Sequence, residues 1–96
     1  MLRLALTVNR VSLIEARLRA ALAPSHIAIE DESAAHAGHA GARAGGGHYA
    51  LTIVSAAFAG QPTLARHRLV YQALGELMQH DVHALKIRAL APEEFN

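Results

Sequence analysis

No cysteine occurs among the 96 residues. That excludes a disulfide scaffold, a thiolate zinc site and any iron–sulfur cage built by this chain alone. Tryptophan is missing as well, and the only aromatic side chains are Tyr49, Phe58, Tyr71 and Phe95. Ala, Leu, Ile and Val must therefore build most of the core. Neither sign of charge dominates, since nine Lys+Arg face eight Asp+Glu for a formal charge of +1. This balance rules out a disordered polyelectrolyte and a nucleic-acid clamp driven by electrostatics. Long apolar runs are lacking too. The longest, such as residues 50–59, fall far short of the roughly 20 that a spanning helix needs. Residues 1–10 lack the apolar block and small-residue cleavage site of a secretory signal. The expectation is a cytoplasmic protein with no membrane segment.

What the chain does have is clear periodicity. Val11, Ile14, Leu18 and Leu22 recur at steps of three or four, which predicts an amphipathic helix over 8–22. Asn9 is one candidate cap, and Ser12 followed by Glu15 fits a capping box. Pro24 stops the helix, because Ala23 before a proline is pushed out of the helical region. Ile27 and Ile29 alternate with small or polar neighbours and predict a first strand over 26–32. Residues 34–47 hold five glycines, two histidines and little that can bury surface, so they read as a flexible loop. A second strand follows over 48–55, with Tyr49, Leu51 and Ile53 on one face and Thr52 and Val54 on the other. Phe58, Gly60 and Pro62 mark a turn, where Phe58 and Gly60 have structural roles. Thr63 is the expected cap of one long helix over 64–80, with an apolar stripe of His67, Val70, Tyr71, Leu74, Leu77 and Met78. Leu85, Ile87 and Ala89 alternate with Lys86 and Arg88 in a third strand over 83–90. The order α–β–β–α–β implies an α+β two-layer sandwich. Its three-stranded mixed sheet has an antiparallel first pair, a parallel third strand and both helices on one face.

Histidine is the one abundant residue type that carries chemistry, with seven copies. Imidazole combines a near-neutral pKa with affinity for borderline transition metals. His36 and His39 lie in the glycine-rich loop and His83 opens the last strand at a sheet end. A loop beside that strand start can bring His36 or His39 close to His83, leaving the remaining metal positions open. The plainer reading makes these three solvated or structural side chains. His67, on the apolar stripe, reads as a partly buried packing and hydrogen-bonding residue. His26, His48 and His80 sit at element ends without a convergent pattern. Catalytic signatures are thin. Ser33 and Ser55 lack a nucleophile elbow, and Asp31 and Glu32 point to opposite faces of their strand. Gly45-Gly46-Gly47 precedes a strand rather than opening a helix, so it is no phosphate cradle. No enzyme activity is expected.

Asp31-Glu32-Ser33, His36-Ala37-Gly38-His39, His48-Tyr49, Ile53-Val54-Ser55-Ala56-Ala57-Phe58-Ala59-Gly60, Arg66-His67-Arg68-Leu69-Val70-Tyr71, Val82-His83-Ala84-Leu85 and Pro92-Glu93-Glu94-Phe95 follow one another in order. In that order and spacing the chain resembles the BolA family of small α/β proteins. The resemblance covers one domain over 8–95 and leaves 1–7 as a short N-terminal extension. It implies a fold like class II KH domains and partnership with a monothiol, CGFS-type glutaredoxin. It also implies a shared 2Fe–2S cluster in which His83 is one ligand and His36 the loop ligand, with His39 as the fallback. Roles in iron–sulfur cluster trafficking or in iron and redox regulation come with it.

A cysteine-free chain supplies no sulfur to iron, so a heterodimer is required. The glutaredoxin cysteine and glutathione then hold one iron and the two imidazoles the other. Such a mixed distribution raises the potential above that of all-thiolate clusters. Protonation of free imidazoles below about pH 6.5 should weaken the complex.

The alternative is a KH-like, nucleic-acid-binding transcriptional regulator whose Arg66, Arg68, Lys86 and Arg88 track DNA phosphates. The +1 charge, the few aromatics and the absence of a GxxG clamp in residues 58–62 count against it. The free protein is expected to be a monomer or a weak homodimer.

Overall fold

The computed structural model describes residues 10–32, 47–80 and 82–95, and for His83 the backbone only. The expected glycine-rich loop, its His36 and His39, and the first residues of the first helix lie outside them. Helix α1 (Arg10–Leu22) buries Ile14, Leu18 and Leu22. Ser12 lies inside this helix and not at its cap. Its last turn closes with Ala23 N–H donating to the Arg19 carbonyl at 3.2 Å. Ala23 itself adopts φ 44°, a left-handed value that no residue with a β-carbon takes without strain, and Pro24 then prevents the helix from resuming.

Three strands follow the expected faces: β1 (His26–Asp31), β2 (Gly47–Val54) and β3 (Val82–Leu90). β1 pairs antiparallel with β2, and β2 parallel with β3, in the order β1-β2-β3. Tyr49, Leu51 and Ile53 are buried and face Leu85, Ile87 and Ala89 in the parallel ladder. The sheet packs these side chains against Ile14, Leu18, Val70 and Leu74 from the helices, forming one core. The helices lie on one face, since their buried side chains all join this core. The result is an α+β sandwich, as the alternation of apolar residues requires.

The expected long helix is two helices, α2 (Thr63–Leu74) and α3 (Leu77–His80). Gly75 breaks it by taking φ 53°, with its N–H donating to the Tyr71 carbonyl at 3.0 Å. A neighbouring helix secures the break. Arg17 of α1 donates to the Leu74 carbonyl at 3.0 Å and pairs with Glu76 at 3.0 Å, so a carbonyl left over at the end of α2 is satisfied from outside. The Arg17 bond also holds the Glu76 carboxyl below its ordinary range. Pro62, not Thr63, occupies the cap position of α2, and no side chain caps it. The apolar stripe is correspondingly narrower than expected. Val70, Leu74 and Leu77 are buried, whereas Tyr71 is 42% exposed.

Between β2 and α2 a short 3₁₀ turn (Ala56–Phe58) drives Phe58 fully into the core, and Gly60 follows at φ 75°. After β3 a second 3₁₀ turn (Pro92–Glu94) folds against α2. Glu94 receives two bonds from Arg66, at 2.7 and 3.2 Å, and one from the Ala91 N–H at 2.8 Å. The guanidinium bonds, followed by the backbone bond, bring the Glu94 carboxyl down to about 2. A depressed carboxyl contributes stability above its ordinary value of 4.5, and that contribution is lost as pH falls toward 2. NMR titration should therefore place the Glu94 midpoint near 2, with faster exchange of the Ala91 amide across the same window. Titration at the ordinary value would mean that the turn is not held by this pair. At the same end of the sheet Phe95 stacks on His26, with ring centroids 4.7 Å apart.

Candidate functional site

The opposite end of the sheet gathers the end of β1 and the starts of β2 and β3. Glu32 N–H donates to the His48 carbonyl at 2.7 Å, carrying the first pair one residue beyond β1. Gly47 opens β2, and a β-carbon there would run into the end of the Tyr49 ring, so a larger residue requires that ring to move. Gly47 pairs with Val82 and His48 with Ala84, so β3 carries one extra residue at this point, His83. A bulge of this kind re-aims a side chain and interrupts the ladder, and bulges recur beside functional sites. His83 is the second residue of β3, one later than expected, because the strand starts at Val82.

A shallow cavity of about 180 Å³ lies beside this bulge, lined by Glu32, His48, Tyr49, Ala84 and Lys86. Lys86 and Glu32 form an ion pair across it at 3.3 Å. As an exposed surface pair this is worth at most about 1 kcal/mol. Among the described residues, no group of three or more His, Asp or Glu side chains converges as a metal cage.

The residues singled out from sequence are scattered by comparison. His83 is at the bulge, while His36 and His39 lie outside the described residues, in the connection between Glu32 and Gly47. His67 is half-buried on α2. Arg66 is consumed by structure: besides Glu94 it donates to the Ala89 carbonyl at 2.9 Å and the Gln61 carbonyl at 2.7 Å. Arg68 is exposed on α2, in the helical layer. Lys86 and Arg88 are exposed on β3, on the parity opposite the core-facing Leu85 and Ile87. The four basic residues are thus divided between the two layers and do not form one stripe. Ser55 is buried and bonded within the fold, which removes it as a nucleophile.

His48 was given no role by the sequence. Alternation along β2 already turns it away from the core face that Tyr49 occupies. Only the parallel register with β3 sets it beside Ala84 and the His83 bulge, and that register has no local signal.

A family model described as "BolA-like protein" matches residues 18–94. Among curated relatives, BolA-like protein 1 of Mus musculus is 40% identical over 82 residues, which is 85% of this chain and 58% of the relative. SufE-like protein 1 of Arabidopsis thaliana is 41% identical over 86 residues, but only 23% of its length is matched. This chain therefore spans less than two thirds of those proteins. The DNA-binding transcriptional regulator BolA of Haemophilus influenzae is 35% identical over 86% of this chain and 78% of its own length. Among solved structures, BolA1 from Arabidopsis thaliana superposes with a TM-score of 0.80 at 39% identity, covering 93% of this chain and 98% of that one.

Proposed function

Since the chain belongs to the BolA family, we propose that it acts with a monothiol glutaredoxin and glutathione to hold a shared 2Fe–2S cluster. Its own ligands in this reading are His83 and one histidine of the connection between β1 and β2, His36 first and His39 second. The observation that carries the reading is the convergence of three strand ends at the His83 bulge. The connection bearing His36 leaves from Glu32 and returns at Gly47, which pairs with Val82. Four residues span at most about 14 Å. The distance from β1 to β3 is two strand spacings, about 10 Å. His36 is therefore within reach of His83 by chain length alone.

The donor chemistry fits a divided cluster. This chain has imidazoles and no thiol, so sulfur ligands must come from the partner and from glutathione. Bound in this way, the cluster would supply electron-transfer or iron–sulfur donor chemistry, and this chain would supply nitrogen ligands and position. The role is non-catalytic, either cluster trafficking or iron and redox regulation. Anaerobic reconstitution of the chain with a monothiol glutaredoxin, glutathione, iron and sulfide tests it. A coloured one-to-one heterocomplex is expected. A glutaredoxin that holds its cluster alone, with this chain left out of the complex, would refute the reading.

One observation favours a second function, DNA binding. Lys86 and Arg88 stand exposed two residues apart on one face of β3, and the Haemophilus influenzae relative is named a DNA-binding transcriptional regulator. If that face tracks phosphates, duplex affinity should fall steeply with salt and be lost in the double variant Lys86→Ala/Arg88→Ala. Binding indifferent to salt would dismiss it.

A further inference from the structure

The sheet face turned away from the helices has no covering layer among the described residues. Its centre is made of small side chains, Ala50 and Thr52 on β2 with Ala28 beside Thr52, while half-buried His48 beside Ala84 closes one end, and a depression of about 270 Å³ runs between β1 and β2. The rims carry opposite charges. β1 contributes Glu30 and the residue after it in that parity, Glu32, while β3 contributes Lys86 and Arg88. Glu30 and Lys86 stand at one level of the sheet, because both pair with Ala50.

A partner of a single charge sign is attracted to one rim and repelled by the other. A second copy of this chain carries both signs at the matching spacing. We propose that this face is a self-association surface, with two chains stacked sheet to sheet about a two-fold axis that runs along β2. That operator lays β1 of one chain over β3 of the other. It places Glu30 opposite the partner's Lys86, and Lys86 opposite the partner's Glu30. A two-fold axis across the strands would instead stack β1 on β1 and set like charges together. The small residues in the centre let the two faces approach closely.

Lys86 already touches Glu32 within one chain at 3.3 Å. Both groups are at the surface, so exchanging that partner for Glu30 of the second copy costs little. The apolar area at the centre is small, so the dimer is weak and exchanges rapidly.

The proposal is tested on the metal-free chain by sedimentation equilibrium and NMR diffusion up to millimolar concentration, so its outcome is independent of the cluster reading. A dimer is expected whose Kd rises about tenfold as salt is raised from about 50 to about 500 mM. Glu30→Lys and Lys86→Glu should each remain monomeric alone, since each creates two like-charge pairs. An equimolar mixture of the two variants should dimerise to within about threefold of the wild-type affinity, because both pairs are then complementary again. The mixture also controls for folding. A wild-type chain that stays monomeric at millimolar concentration, a Glu30→Lys variant that still dimerises, or a mixture that fails to associate would each overturn the proposal.

Discussion

Replacing Phe58 by alanine is expected to destabilise the fold by about 3–5 kcal/mol, the range for removing a fully buried aromatic ring. Phe58 has no exposed surface and sits in the single core that the sheet and helices share. It arrives there on a three-residue 3₁₀ turn, fixed by bonds from the Phe58 N–H to the Ser55 carbonyl and from the Gln61 N–H to the Phe58 carbonyl. A turn this short has no neighbouring side chain able to fill the hole. With one of only four aromatic residues removed, a domain of this size, typically stable by about 5–15 kcal/mol, is left near its limit. Thermal melting should fall by roughly 15–30 °C. Phe58→Leu keeps most of the volume and should cost about 1 kcal/mol. An alanine variant that melts within a few degrees of wild type would mean that the turn does not anchor the core.

Ser55→Ala should cost about 1–3 kcal/mol although it deletes a single oxygen. Ser55 is 1% exposed. Its hydroxyl donates to the Leu22 carbonyl at 2.6 Å and accepts from the Ala57 N–H at 3.1 Å. Its own N–H donates to the Leu90 carbonyl at 3.0 Å. One residue thereby joins the end of α1, the 3₁₀ turn and the end of β3. Alanine leaves the buried Leu22 carbonyl and the part-buried Ala57 N–H without that oxygen. Urea unfolding should show a lower midpoint with an unchanged m-value. A midpoint shift equivalent to less than about 0.5 kcal/mol would show that water replaces the hydroxyl.

The fold was legible wherever burial alternates locally. Ile27 and Ile29, Tyr49, Leu51 and Ile53, and Leu85, Ile87 and Ala89 each mark a strand face by parity alone, and the observed ladders align those faces. Pro24 marked the end of α1 by a steric rule that acts between adjacent residues. Features that depend on distant partners were not legible. The break at Gly75 interrupts a continuous apolar stripe, and it is secured in part by Arg17, a distant residue of α1 bonded to the Leu74 carbonyl and paired with Glu76. Arg66 reads as a free cation until the C-terminal turn brings Glu94 to it. The same holds for the site. His83 stood out because it begins a strand, but the extra residue that creates the bulge follows from the parallel register of β2 and β3, and so does the position of His48.

The most direct test of the central claim looks for nitrogen on iron. The reconstituted heterocomplex, reduced and examined by pulsed EPR, should show ¹⁴N couplings from two imidazoles. His83→Ala should remove one coupling, and the triple variant His36→Ala/His39→Ala/His83→Ala should remove both and abolish the coloured heterocomplex. Couplings that persist unchanged in the triple variant would contradict the assignment of these histidines as ligands.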